Sequence, residues 1–194
     1  RIESEAKLDS LRLSGPFALN PDGTPKSSYN VSGYFNNFNA GKLSMQLNLN
    51  VEKGQEIAHR LIEKSDIFLT NFTPRVVDKW NLRYDQLSAI NPRLIYARGH
   101  GYGARGPDAD TPAYDSTSFW ARGAIEETLA PSGLPEPMGQ RGAVGDRYGA
   151  THLAFGIAAA LFRRQRTGEG SIVDVSLLGT ALWAIGSDVV SALQ

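Results

Sequence analysis

The order of the apolar segments constrains the fold of this chain more than any other feature of its sequence. Short runs typical of buried strands alternate with helix-like stretches whose apolar residues recur on one face. The predicted strands cover residues 43–49, 67–72, 93–97 and 171–177. The predicted helices cover residues 57–62, 74–80, 84–90, about 146–165, and 177–193. Such alternation favours an α/β fold, an open parallel sheet with flanking helices. Ligands of such sheets bind beyond the carboxyl ends of the strands.

A βαβ unit with a parallel strand pair is predicted near the start of the chain. It consists of the strand at 43–49, the helix at 57–62 and the strand at 67–72. Residues 14–41 are rich in Gly, Asn, Ser and Pro and are predicted to be irregular. The Gly- and Pro-rich region 108–145 is predicted to hold one short helix, near 116–123.

Composition excludes several classes of function. The chain contains no cysteine, which removes disulfides, thiolate nucleophiles and Cys-ligated zinc. Its 20 basic and 20 acidic residues balance, so nothing favours nucleic acid or an anionic membrane as a partner. No apolar run approaches the roughly 20 residues that span a bilayer. The first residues carry no signal-peptide core, and we predict a cytoplasmic location.

Familiar catalytic motifs are also missing. The glycine loop at 99–103 follows a strand, but Ala104 stands where a dinucleotide fingerprint requires its third glycine. Gly41-Lys42 is followed by Leu43, so there is no phosphate-binding P-loop. No nucleophile elbow of the G-x-S-x-G type is present. The histidines have no metal-ligand spacing, and no metal site is predicted; they are His59, His100 and His152.

Asp146 is the carboxylate that interrupts the small and apolar stretch GAVGDRYGATHLAFGIAAALF. It has two interpretations: the N-cap of the helix that follows, or a reactive group. Gly149 stands where a capping box needs Glu or Gln, which weakens the first interpretation. Gly142 and Gly145 leave the carboxylate accessible. At a helix N-terminus we expect it to be ionised at neutral pH, because the helix dipole favours an anion.

Basic and aromatic side chains near the strand ends are candidates for ligand binding. Arg75 and Lys79 lie on the short helix after Asn71-Phe72, whose N-terminal N–H groups suit a phosphate. Each of these cations can equally be a solvated surface charge. Phe72 and the pair Tyr114-Asp115 fall where strands give way to loops, so they either line a cleft or pack in the core.

Four stretches, taken in order, carry a resemblance to a known family. They are DIFLTNFTPRVVDKWNLRYDQLSAINPRLIYARGHGYGARGP, PAYDS, GAVGD and IAAALFRRQRTGEGSIVDVSL. In this order they resemble the family III CoA-transferases, the group that includes formyl-CoA and carnitine CoA-transferases. The resemblance implies a Rossmann-like open sheet within a homodimer of interlocked chains.

The resemblance also implies a role for each matching residue. Asp146 looks like the family's nucleophile, which attacks an acyl-CoA thioester and forms an aspartyl anhydride and then an aspartyl-CoA thioester. Tyr114 and Asp115 match an aromatic–acid pair beside the acyl group. The substrates implied are acyl-CoA and a carboxylic acid, with no tightly bound cofactor. The CoA-binding candidates are Arg12, Leu47, Asn71, Phe72, Arg75, Val76, Lys79 and Leu177.

The chain departs from the family pattern in two ways. Asp115 stands where the family often has Glu, so this acid is one methylene shorter. The family's first strand and helix and its C-terminal part are not found in residues 1–194. We therefore expect one segment of the family's large domain, part of a longer enzyme.

Two rival functions remain open. An α-methylacyl-CoA racemase shares the fold but typically has His before the acid that is Asp115 here, so Tyr114 favours a transferase. A non-catalytic CoA-binding homologue would keep the fold without exchange. The acids exchanged are not identified by the sequence. Phe119, Trp120 and Arg122 lie near the predicted pocket, where Arg122 is a candidate for binding a second carboxylate.

Overall fold

A computed structural model of the chain describes residues 1–131, 133, 140 and 142–194. These residues form two compact units, Arg1–Ala58 and His59–Gln194. Each unit is described by itself.

The first unit holds a small sheet of two parallel strands, β1 (Ile2–Glu3) and β2 (Met45–Gln46). A 3₁₀ turn follows β1 at Ser10–Leu13, and helix α1 spans Gly33–Asn39. The prediction that residues 14–41 are irregular is therefore wrong for α1. Its start is fixed by a side chain: the Oγ of Ser32 accepts the N–H of Phe35 at 3.2 Å.

Helix α2 (Glu52–Ile62) confirms the helix predicted around its apolar face, with Ala58 and Ile62 about 5% exposed. The strand predicted at 43–49 shortens to the two residues of β2, and Leu43 is 90% exposed. Alternating leucines therefore do not mark a buried face here.

The second unit is built on three parallel strands in the order β3 (Ile67–Thr70), β4 (Ile95–His100) and β5 (Ser171–Ser176). The predicted βαβ unit between the first two strand candidates is wrong in its pairing, because β2 pairs with β1 and β3 pairs with β4. The helices of this unit are α3 (Pro74–Lys79), α4 (Tyr84–Ile90), a π-helix (Asp115–Ala121), α5 (Ile125–Leu129), α6 (Val144–Thr167), α7 (Leu177–Ala184) and α8 (Gly186–Ala192).

The central strand β4 forms the core of the second unit. Ile95, Tyr96 and Ala97 are at most 2% exposed, and Leu94 just before them is 1% exposed. A strand buried on both faces has a continuous apolar sequence, which is the pattern that predicted it. Helix α6 packs closely on β5, since a Cβ on Gly156 would lie 2.5 Å from Cγ1 of Val173.

Two boundaries differ from the sequence prediction. Strand β4 continues to His100, three residues beyond its predicted end at residue 97, and Gly99 pairs with Val175. The helix predicted at 177–193 is two helices, with Ile185 between them in a non-helical conformation (φ −107°, ψ 29°). Gly186, a residue of low helix propensity, follows the break. In the part of the chain described, no helix is long and apolar enough to cross a membrane.

Candidate active site

Asp146 lies in the first turn of α6, as its third residue. The cap position belongs to Ala143, whose backbone is left-handed (φ 61°, ψ 24°) and whose side chain cannot accept a hydrogen bond. Of the two interpretations of Asp146, the N-cap is therefore wrong, because α6 begins two residues before it. The Asp146 side chain is exposed, so it is available to a ligand.

Asp115 supplies the cap that Ala143 lacks. The backbone N–H of Asp146 donates to Oδ1 of Asp115 at 2.8 Å. Asp115 is the first residue of the π-helix, 31 residues earlier in the chain. A carboxylate accepting from a free N–H at a helix N-terminus is a charge-assisted contact, stronger than a neutral one. The two acids that the sequence singled out are thus in direct contact.

The second oxygen of Asp115 is also engaged. Nε1–H of Trp120 donates to Oδ2 of Asp115 at 3.0 Å. Trp120 is 6% exposed and belongs to a buried cluster with Phe119, Ile125 and Ala181. The Asp115 carboxylate is therefore held between a core indole and the first turn of α6.

The surroundings of Asp146 raise its pKa. Although the residue is exposed, the protein atoms around its carboxylate replace part of the water; this desolvation, and then the negative charge of Asp115, raise the pKa above that of a free aspartate. The helix dipole, from which we expected an ionised carboxylate, acts in the opposite direction to these two effects. The sequence did not show the carboxylate of Asp115 beside Asp146, and the ionisation of Asp146 at neutral pH stays a prediction.

Tyr114, the other member of the predicted aromatic–acid pair, is 72% exposed. Its backbone N–H donates to Oγ1 of Thr117 at 2.9 Å, which fixes the start of the π-helix. Its ring is therefore on the surface of the second unit, next in sequence to Asp115.

The predicted CoA contacts at the end of β3 line two depressions. Asn71 and Phe72 line a small pocket of about 50 Å³ together with His100 and Ala113. A larger cavity of about 280 Å³ shares Phe72 and His100 with this pocket. Its lining includes Thr70, Pro74, Val77, Arg83, Tyr84, Asp85, Tyr96, Arg98 and His100. The smaller pocket lies at the carboxyl ends of β3 and β4, as the open-sheet rule predicts, whereas the larger one extends back along β4 to Tyr96.

Helix α3 carries three further candidates, of which Arg75 and Lys79 are exposed and Val76 is partly buried. The backbone N–H of Arg75 donates to Oδ1 of Asp110 at 2.9 Å. One of the N–H groups expected to meet a phosphate therefore already has a protein acceptor. The two side-chain cations remain exposed on α3.

Leu177, another CoA-lining candidate, begins α7 and packs against the cluster that contains Phe119 and Trp120. Its Cδ2 lies 3.2 Å from the position of a Cβ on Gly149. Leu177 thus lies in the same unit as Asp146 and Asp115.

Two candidates lie in the first unit. The guanidinium of Arg12 donates from Nε and Nη2 to the two carboxylate oxygens of Glu3, both at 2.8 Å, and lies 3.6 Å from the ring centre of Phe35. Its Nη1 donates to the Tyr29 carbonyl and to Oδ1 of Asn30. Leu47 is partly buried, and its N–H donates to the Glu3 carbonyl.

Sequence reasoning missed a charged cluster at the carboxyl end of β4. Arg98 donates to Oδ2 of Asp174 at 2.7 Å, and Nε2 of His100 lies 3.4 Å from Oδ1 of the same residue without forming a hydrogen bond. Burial lowers the pKa of His100. The negative charge of Asp174 raises this pKa, and the positive charge of Arg98 lowers it. The signal was present, since Arg98 and His100 are two residues apart and share a face of the strand.

Arg122, a candidate for a second substrate carboxylate, contacts Oδ2 of Asp108 at 3.2 Å and lies 5.7 Å from the ring centre of Tyr102. Its side chain is 60% exposed. Among the described residues, no group of three or more His, Cys, Asp or Glu is placed to hold a metal ion.

The sequence of this chain is similar to those of known CoA-transferases. The model of the family described as CoA-transferase family III matches residues 1–194. The chain is 38% identical over 186 residues to a cinnamoyl-CoA:phenyllactate CoA-transferase of Clostridium sporogenes, covering 96% of this chain and 43% of that protein. It is 36% identical over 182 residues to an acetyl-CoA:oxalate CoA-transferase of Acetobacter aceti, covering 94% and 44%.

A solved structure of a CAIB/BAIF family protein from Brucella suis superposes with a TM-score of 0.84 and 30% identity. It covers 100% of this chain and 50% of that one. The chain thus spans less than half the length of these two curated relatives and half the length of the solved chain.

Proposed function

Because the chain belongs to CoA-transferase family III, we propose that it transfers CoA from an acyl-CoA thioester to a carboxylic acid through a covalent intermediate on Asp146. The observation that carries this proposal is the contact between the backbone of Asp146 and the carboxylate of Asp115. It fixes an accessible acid at a helix N-terminus, next to the predicted acyl-binding pair.

The bonding steps balance without a metal, a redox partner or a net proton. The Asp146 carboxylate attacks the thioester carbonyl; a C–O bond forms, the C–S bond breaks and CoA thiolate leaves. The thiolate then attacks the aspartyl carbonyl of the anhydride, giving aspartyl-CoA and releasing the first acid as a carboxylate. The second carboxylate attacks the carbonyl of aspartyl-CoA, which forms a second anhydride and expels CoA thiolate. The thiolate then attacks the acyl carbon of the second acid, and the Asp146 carboxylate leaves. Asp146 is regenerated and the new thioester leaves.

The environment of Asp146 suits this role. A carboxylate is a weak nucleophile, and a raised pKa makes it more basic and so a better one once ionised. Fixed geometry supplies much of the remaining rate. The backbone of the first turn of α6 is held by Asp115, which limits the positions that the Asp146 side chain can take.

For CoA itself we propose contacts at the end of β3 and along α3, with Asn71 and Phe72 beside the pantetheine chain. Arg75 and Lys79 are exposed cations that suit the CoA phosphates. The other proposed CoA contacts are Arg12, Leu47, Val76 and Leu177. For Arg12, binding would require a phosphate to compete with Glu3, Tyr29 and Asn30.

The remaining features of the proposal rest on the family resemblance. The working enzyme would be a cytoplasmic homodimer of interlocked chains, with CoA as a substrate and not as a bound cofactor. The acids named for the relatives suggest what to assay first: cinnamoyl-CoA or acetyl-CoA as donors, with phenyllactate or oxalate as acceptors.

The test uses the full-length protein. It is incubated with each acyl-CoA, treated with hydroxylamine and digested, and the peptide containing GAVGDR is read by mass spectrometry. A hydroxamate on Asp146 that disappears in Asp146→Asn is the expected result. Unmodified Asp146 together with exchange of the substrate's α-proton into deuterated water would instead support the racemase. Binding of CoA with neither reaction would support a non-catalytic homologue.

A further inference from the structure

The two hydrogen bonds of Asp115 connect a core tryptophan to the backbone of the proposed nucleophile. Nε1–H of Trp120 donates to one carboxylate oxygen at 3.0 Å, and the N–H of Asp146 donates to the other at 2.8 Å. We propose that Trp120 is a positioning residue for CoA transfer, which holds Asp115 in the orientation that fixes the first turn of α6. This inference rests on the proposed function of Asp146.

The π-helix is what brings the indole to the carboxylate. Asp115 and Trp120 are five residues apart, and five residues of an α-helix would place them about 140° apart around the axis. The wider π turn bonds residue i to i+5, as between the Arg122 N–H and the Thr117 carbonyl at 3.1 Å. Residues five apart then face the same side. The unusual helix thus has a geometric consequence that a regular helix would not provide.

The indole is anchored independently of Asp115. Trp120 is 6% exposed, and its ring meets that of Phe119 edge to face, with ring centres 5.8 Å apart. Phe119 in turn stacks on Tyr148 of α6, with centres 6.0 Å apart. A donor fixed in the core can hold one oxygen of Asp115, so that the other stays on the Asp146 N–H. Without it, the carboxylate is free to rotate about its last torsion.

Trp120 would therefore act on catalysis and not on binding. Its indole N–H donates to Asp115 and the residue is only 6% exposed, so we expect it to act through Asp115 and not by touching the substrate. Loss of the N–H should lower kcat by about 10-fold, since small displacements of a reacting group are costly. The KM for acyl-CoA should change little.

The cleanest test deletes only the N–H. In the full-length protein, Trp120 is replaced by β-(3-benzothienyl)alanine, which keeps the ring shape and carries sulfur in place of N–H. Trp120→Phe is the simpler second variant. The control places the same analogue at Trp183, which is 73% exposed on α7. Rates are measured with the best donor and acceptor pair, and backbone amide exchange is followed in the segment 142–149.

A double-mutant cycle separates positioning from general destabilisation. If Trp120 acts through Asp115, its replacement lowers kcat in the wild-type background but not in Asp115→Ala. A purely structural role for the ring would give the same loss in both backgrounds. The benzothienyl protein should also lose amide protection at Asp146, while the Trp183 control keeps both rate and protection.

The outcomes separate this inference from the function it rests on. A wild type that transfers CoA, with kcat and amide protection unchanged by the analogue at Trp120, overturns the inference and leaves the function standing. A wild type that transfers no CoA overturns the function. In that case amide protection alone decides: unchanged protection overturns the inference, and lost protection supports the contact between Trp120 and Asp115.

Discussion

Gly145 lies directly against two side chains of the π-helix: a Cβ built on it would stand 2.5 Å from Cβ of Phe119 and 2.6 Å from Oδ1 of Asp115. Its backbone is helical, so glycine is required here by close approach and not by an unusual torsion. The residue before the proposed nucleophile therefore has to be small for Asp115 to reach the first turn of α6.

The first prediction replaces Gly145 with Ala. The added methyl group must displace Phe119 or Asp115, and overpacking of this kind costs about 1–3 kcal/mol of the free energy of unfolding. It should also lower kcat, because Asp115 moves away from the Asp146 N–H. Urea unfolding and initial rates measure the two effects. The control is Gly186→Ala, where the new Cβ would meet nothing within 4 Å apart from its chain neighbours and the backbone of its own helix; an equal loss in both variants would contradict the prediction.

The second prediction concerns pH. The pKa of Asp146 is raised by desolvation and then by the charge of Asp115. Asp115→Asn removes that charge, so the pKa of Asp146 should fall. The Oδ1 of the asparagine can still accept the Asp146 N–H, but its Nδ2 then faces the Nε1–H of Trp120 where Asp115 offered an acceptor. Because the proposed mechanism requires the ionised form of Asp146, the acidic limb of kcat/KM should move to lower pH. Asp188→Asn, which removes an exposed charge on α8, should leave the limb in place.

The same pKa has a consequence for stability, with a definite sign. A carboxyl whose pKa is raised by folding binds its proton more tightly in the folded state. Asp146 therefore destabilises the fold at pH values above its folded pKa and ceases to do so as pH falls below its unfolded pKa. Asp146→Asn should be more stable than wild type at pH 7 and not at pH 3, as measured by urea unfolding. If wild type and Asp146→Asn are equally stable at pH 7, folding does not raise the pKa of Asp146, and the prediction for the pH dependence of kcat/KM loses its basis.

Sequence reasoning recovered elements where one local signal dominates. The apolar run before His100 predicted β4, and the Pro74 start predicted α3, because burial and proline stereochemistry act within a few residues. It failed for the pairing of β2, since its partner lies more than 40 residues away. Strand pairing is a non-local choice that alternating leucines do not specify.

The same difference between local and non-local features applies to the candidate site. Asp146 and Asp115 were identified by motif resemblance, but the contact between them was not foreseen. That contact depends on Gly145 and on the π-helix, and neither a π turn nor a tertiary cap has a sequence signature within one segment. The Trp120 indole was named near the pocket without a role for the same reason: its partner is set by the turn geometry.

The third prediction concerns the first unit. The pKa of Glu3 is lowered to about 2, mainly by the hydrogen bond from the Arg12 guanidinium. The Asp9 N–H and the charges of Arg1 and Arg12 lower it further, and desolvation opposes this shift. The carboxylate therefore stabilises the fold above its unfolded pKa of about 4.5, and this contribution is lost as pH falls toward 2. Glu3→Gln should cost about 2 kcal/mol at pH 7 and progressively less below pH 4.5.

Urea unfolding at pH 7 and pH 3.5 measures this difference. Glu5→Gln is the matched control, because Glu5 is exposed in the same segment. A cost for Glu3→Gln that is the same at both pH values would contradict the assignment, since a loss of packing alone does not depend on protonation of Glu3.

The fourth prediction concerns Arg164 near the end of α6. Its Nη1 donates to the carbonyls of Asp66 and Arg93, at 3.2 and 3.0 Å, and its Nη2 donates to Oδ1 of Asp66 at 2.8 Å. These carbonyls precede β3 and β4, so one guanidinium joins the helix to both strand starts. The Arg164 side chain is 11% exposed, whereas that of Asp66 is 78% exposed. The two carbonyl bonds should therefore matter more than the ion pair.

Arg164→Lys keeps the charge, but the single ammonium group of lysine cannot reproduce the planar guanidinium's hydrogen bonds to both carbonyls. It should lower the free energy of unfolding by about 1–2 kcal/mol. Asp66→Ala should cost no more than about 0.5 kcal/mol. The loss in Arg164→Lys should persist at 1 M salt, on the order of a 3 Å screening length, because carbonyl contacts are not screened as exposed ion pairs are. Arg166→Lys, at an exposed position two residues later, is the control. If the loss of stability in Arg164→Lys disappears in high salt, the ion pair with Asp66, and not the two hydrogen bonds to carbonyls, joins α6 to the sheet.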